Sequence, residues 1–138
     1  MIDVLNIFMR VLHILSAVAL AGGALAWRFA AIPATEPLAD DTRRKVGDAM
    51  ARAWRPFLIL ASAGILISGF YNFLRKKGLP PGYHAIFGIK VLLALHVIAV
   101  LLIAAKPGNE KRSRQLTGVI FSAVIIVVLS AVLRWLQQ

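Results

Sequence analysis

The sequence predicts an all-α integral membrane protein, a four-transmembrane-helix up-down bundle forming one domain over residues 1–138. Three observations predict it. Of the 138 residues 59% are hydrophobic and 16% charged, whereas soluble domains run near ~45–50% and ~25%. The apolar residues cluster into four stretches, about 4–27, 56–73, 85–105 and 116–136, each approaching the ~20 residues that cross a bilayer. Extended or irregular backbone would leave its polar groups unsatisfied against lipid, so these stretches are helices, and their short connections make neighbours antiparallel.

In the first stretch Arg10 and Arg28 bracket seventeen residues, about 26 Å of helix, and mark the two edges of the hydrocarbon. Ala24-Leu25-Ala26 has the small-x-small form of a leader cleavage site, but Asp3 and a single basic residue ahead of the apolar run argue against a leader. In the longest loop Asp40, Asp41 or Thr42 can cap a helix whose apolar positions Val46, Ala49, Met50, Ala53, Trp54 and Phe57 keep helical spacing. This second helix is expected to begin outside the membrane, lie partly on its surface and bend near Pro56. Leu79-Pro80-Pro81-Gly82 is a tight turn, and Lys90 and Lys106 bracket the third stretch as Arg10 and Arg28 do the first. Trp27, Trp54 and Trp135 sit near stretch ends, where an interfacial aromatic belt is expected.

The net charge is +10, with the sixteen Lys and Arg residues mostly just outside the apolar stretches, where they meet anionic headgroups. No recognition motif accompanies that charge, so a nucleic-acid partner is not expected. The absence of Cys excludes disulfides, iron–sulfur clusters and thiolate metal sites. Ten basic residues border the first and third loops against six at the tails and second loop, which places both termini outside the cell (inner or plasma) membrane.

Ionisable groups within membrane helices are costly and become functional candidates. His13 lies three residues beyond Arg10 and His96 six beyond Lys90, about 4.5 and 9 Å inward along two parallel helices. Two imidazoles at similar depth fit the axial ligands of a haem b iron. Ser16, Ala17, Leu20 and Ala24 leave room below His13, while Ala85, Ile89, Leu92, Ala99, Val100 and Ile103 surround His96. Arg10 and Lys90 would neutralise the haem propionates, with Tyr83 and His84 near enough to assist. Ser62, Ser68, Asn72 and Ser122 read as partners for backbone or neighbouring helices, and the glycines Gly64, Gly69, Gly88 and Gly118 as packing positions. The external redox partner is not named by the sequence, and the glycine-containing faces are compatible with a homodimer.

Three segments resemble a known family: Leu12-His13-Ile14 followed by Ala21-Gly22-Gly23, Ser68-Gly69-Phe70-Tyr71-Asn72, and Tyr83-His84-Ala85-Ile86-Phe87-Gly88-Ile89-Lys90. They resemble the copper resistance D (copper export) membrane domain and the related membrane protoporphyrinogen oxidase family. The resemblance implies haem b, with His13 and Lys90 in the positions of the oxidase family's functional His and Lys. The chain departs from that pattern where Ala19–Ala24 reads ALAGGA and where Arg28 has no neighbouring proline. The sequence thus predicts a haem b redox or electron-transfer protein, a haem-dependent oxidase if it is an enzyme. Two other readings are copper-resistance-type transport, for which Met1, Met9 and Met50 form no paired soft-ligand motif, and a structural subunit.

Overall fold

The computed structural model describes residues 2–138. Helix α1 spans Ile2–Ala26 and passes through a π-turn, Trp27–Ala31, into a short α2, Ile32–Thr35. Helices α3 (Asp40–Leu74), α4 (Tyr83–Ala104) and α5 (Arg112–Trp135) follow, with no strand among the described residues. Four helical runs are long and apolar enough to cross a membrane: Asp3–Thr35, Asp40–Leu74, Tyr83–Ala104 and Arg112–Trp135. Their outward faces are strongly apolar, as at Leu60, Leu92 and Val127, which are each about 70% exposed. Such continuous apolar surface suits lipid rather than water, and the chain is a multi-pass membrane protein.

The bundle forms a ring in which α1 packs chiefly on α3 and α4 on α5, with lesser contacts from α1 to α5 and from α3 to α4. Helices α1 and α4 are therefore diagonal. The apolar core lies mostly in the half nearer the first and third loops, where Leu20, Ala24, Trp27, Leu58, Leu101, Leu116 and Val119 are buried together. Gly23 permits this closeness, since a Cβ there would collide with the indole of Trp54.

The structure refines four sequence expectations. Arg28 does not end the first helix: its Nε donates to Thr117 Oγ1 of α5 at 2.9 Å, and the chain stays helical to Thr35. The second membrane helix is one continuous element through Pro56. At 35 residues it is about 52 Å long and exceeds the ~30 Å hydrocarbon, so its start projects beyond the membrane. Asp40 and Asp41 occupy its first turn, favourably placed for the helix dipole, with no side-chain cap. Trp27 is 5% exposed and packs edge-to-face on Trp54 with ring centres 5.0 Å apart, so it belongs to the core and not to the aromatic belt.

The third loop is tied to α3 by a dense polar clasp. Asp48 Oδ1 accepts the Gly108 backbone N–H at 2.8 Å and pairs with Arg112 at 3.5 Å. Arg112 also donates to the carbonyls of Ala104 and Lys106 and stacks over Trp27. Ion pairs Arg43–Asp40, Lys45–Asp41 and Arg44–Glu110 surround it. The Gly108 N–H, helped by Arg112, holds the Asp48 carboxyl below its ordinary value of 3.8.

Candidate functional site

The opposite half of the bundle gathers the polar residues. On α1 the inward stripe runs Asn6, His13, Ser16, Leu20 and Ala24, a 3.6-residue period that carries one imidazole toward α3. There His13 Nδ1 lies 3.1 Å from Ser68 Oγ. Gly69 eases the approach: a Cβ at that position would sit 3.3 Å from His13 Cε1, and the ring would have to give by a few tenths of an ångström. Two further close approaches hold the same seam, Ser16 against Gly64 and, nearer the membrane surface, Tyr71 Oη donating to Asn6 Oδ1 at 2.8 Å.

The hydrogen bonds of Ser68 assign the tautomer of His13. A serine hydroxyl has one proton, and Ser68 donates it to the Gly64 carbonyl at 2.6 Å. Its oxygen then accepts from His13 Nδ1–H, which leaves the lone pair of Nε2 unengaged. A ring nitrogen held this way is the usual second-shell support of a metal-binding histidine.

Lys90 stands at the same level. Across the antiparallel α3–α4 pair Phe73 stacks on Phe87 at 4.2 Å and Arg55 reaches the Leu102 carbonyl, so Lys90 falls opposite the Ser68–Phe70 step. It sits on the half-buried stripe of α4 with Tyr83, Ile86, Phe87, Val97 and Leu101. The structure leaves Lys90 half-buried at the level of the His13–Ser68 contact.

His96 occupies the other face of α4. It is exposed, together with Ala85, Ile89, Leu92, Ala99 and Ile103, so the stripe expected to enclose a cofactor is the one turned outward. His13 and His96 are thus not brought together within one chain. The depth comparison could not detect this, because depth along a helix and direction around it are independent coordinates. Arg10 is exposed one turn outside His13. His84 is exposed too, edge-on to Phe73 and Tyr83.

No family model, curated protein or solved structure matches the chain. The site therefore has to be read from its own chemistry. Among the described residues no three His, Asp or Glu side chains gather into a nest for a bare metal ion. The donor set at this level is one imidazole and one half-buried ammonium. It does not fit a haem held by His13 and His96 of the same chain.

Ser68 is the site residue that sequence reasoning passed over, since it read as one of several serines satisfying backbone. A usable signal was present in its Gly neighbour. Ser68-Gly69 pairs a short polar side chain with a missing one, which is what an imidazole packed across a helix seam requires.

Proposed function

We propose that the chain is a haem b-binding membrane redox protein in which His13 Nε2 is an axial ligand and Lys90 neutralises a propionate. The observation that carries this reading is the Gly64–Ser68–His13 chain of hydrogen bonds, which spends Nδ1 and leaves Nε2 without a partner among the described residues, at the level of the half-buried Lys90. The resemblance of the His13, Ser68–Asn72 and Tyr83–Lys90 segments to the copper resistance D and membrane protoporphyrinogen oxidase families supports the same assignment. When bound, haem would supply a one-electron centre. The protein's own contributions are to fix the ring of His13, to balance the carboxylate charge with Lys90 and to exclude water with the apolar helices. Arg10 and His84, both exposed and nearer the membrane surface, are the residues left to meet a second propionate. With one imidazole on the inward side, the residues favour one protein ligand over two, an arrangement that suits oxidase chemistry better than simple electron transfer.

Copper transport draws less support. Met9 and Met50 are half-buried near opposite ends of the bundle, Met1 lies outside the described residues, and no other Met or Cys among those described joins either.

An absorption spectrum of detergent-purified protein, expressed with ample haem, tests the reading. A Soret band is expected, lost in His13→Ala and kept in His96→Ala. A colourless wild-type protein, or a band that survives His13→Ala, would reject it. By the Lys and Arg count we place the protein in the cell membrane with both termini outside. Because the chain has no Cys, single cysteines introduced at Gln137 and Ala39 report the two faces cleanly. An impermeant maleimide applied to intact cells should label Gln137→Cys and not Ala39→Cys.

A further inference from the structure

The end of the bundle that carries His13 has cations and almost no anions. Arg10, Arg75, Lys76, Lys77, Lys90 and Arg134 lie there with Asp3 as their only acidic neighbour in sequence. The other five acidic residues are at the opposite end, and the structure's four ion pairs are all there. Among the described residues, no ion pair reaches any cation of the His13 end.

Between the α3–α4 turn and the end of α5 is a recess of about 320 Å³, lined in part by Lys76, Lys77, Leu79, Pro80, Leu136 and Gln137. Its central ammonium is positioned rather than free. Lys76 Nζ donates to Tyr83 Oη at 2.8 Å and to Gln137 Oε1 at 3.3 Å, and sits 5.2 Å from the centre of the Tyr83 ring. An ammonium has three protons, so one remains without an acceptor. Both partners are neutral oxygens, which leaves the positive charge uncompensated. The Tyr83 side chain is 1% exposed, and its own hydroxyl proton has no acceptor among the described residues. Lys77, exposed and without a hydrogen-bond partner among the described residues, supplies a second charge at the rim.

We propose that this recess binds the phosphate of an anionic phospholipid headgroup, with Lys76 as the fixed donor and Lys77 as the mobile one. The mixed lining decides for a lipid over a soluble anion: Leu79, Pro80 and Leu136 offer apolar contact beside the two ammoniums, as a glycerol backbone and upper acyl carbons require. The assignment does not depend on haem.

Native mass spectrometry of the detergent-purified full chain, titrated with phosphatidylglycerol or phosphatidylcholine, tests it. Phosphatidylglycerol should be retained preferentially. A Lys76→Gln/Lys77→Gln variant should bind it about 25-fold more weakly, at about fivefold per lysine near a membrane surface. The matched variant Arg43→Gln/Arg44→Gln, which removes equal charge from the other end, should bind as wild type. Equal losses in the two variants, or no preference between the lipids, would overturn the proposal. Displacement of phosphatidylglycerol by glycerol phosphate at equal concentration would assign the recess to soluble phosphate and overturn the lipid. Should the double variant lose its helical circular dichroism, Lys77→Gln alone gives the measurement, because Lys77 makes no polar contact to lose; an unchanged affinity there would count against the site.

Discussion

The two ends of this bundle carry the same net charge and use it in opposite ways. Ten basic and five acidic residues lie at the end of the first and third loops, six and one at the other, so each end is +5. At the first, the carboxylates are spent on the clasp around Asp48 and Arg112 and on the ion pairs of α3, above a buried apolar core. At the second, His13 and Lys76 are held by neutral partners, and each retains capacity to bind something else. A closed set of interactions stabilises a fold. An open set, held in place by glycine contacts and single hydrogen bonds, is the arrangement expected of a site.

If the core half is what holds the bundle together, crowding it should have the largest effect of any single change. A side chain at Gly23 would meet the Trp54 ring, whereas one at Gly88 would meet nothing within 4 Å. Gly23→Leu should therefore cost about 3 kcal/mol, the upper part of the usual overpacking range, and Gly88→Leu should leave stability near wild type. Thermal unfolding in detergent measures both. Equal effects at the two positions would show that the seam is looser than the Trp27–Trp54 packing implies.

The next effect separates function from stability. Each half offers an interhelical bond between side chains that a single substitution removes, His13 to Ser68 and Arg28 to Thr117. Ser68→Ala fits the same space but frees the His13 tautomer, and by the second-shell rule it should weaken haem retention about 10–100-fold with little change in unfolding temperature. Thr117→Ala should leave haem retention unchanged. A reversal, with Thr117 governing haem and Ser68 inert, would place the site in the wrong half.

Much of this division could be read from the chain before the fold was known. The four apolar stretches gave the helices, and the inward placement of His13 followed its spacing from Ser16 and Leu20. What could not be read was direction around α4. Its apolar residues surround the whole helix, so no stripe distinguishes the Lys90 face from the His96 face, and only packing on α3 and α5 selects one. The continuation of α1 past Arg28 was hidden for a related reason. A basic residue after an apolar run marks the membrane edge in sequence, while the bond from Arg28 to Thr117 within the continuing helix is a contact between residues 89 positions apart.

The smallest expected effect concerns pH and the clasp. Asp48 is held below its ordinary value of 3.8 by the Gly108 N–H and by Arg112, so its ionised form is the one the fold prefers. For a carboxyl lowered on folding, the stabilisation is fully present above the unfolded value and is lost as pH falls through the folded one. Acidification from neutrality should therefore leave the third loop intact until pH drops below about 3.8, when the Gly108 amide should begin to exchange faster. Asp48→Asn should remove this acid transition while leaving the spectrum of bound haem unchanged, since its partners all lie in the other half. Amide exchange at Gly108, followed across acid pH in both proteins, measures it. A spectral change in Asp48→Asn would mean that the two ends are coupled through α3, the helix that carries both Asp48 and Ser68.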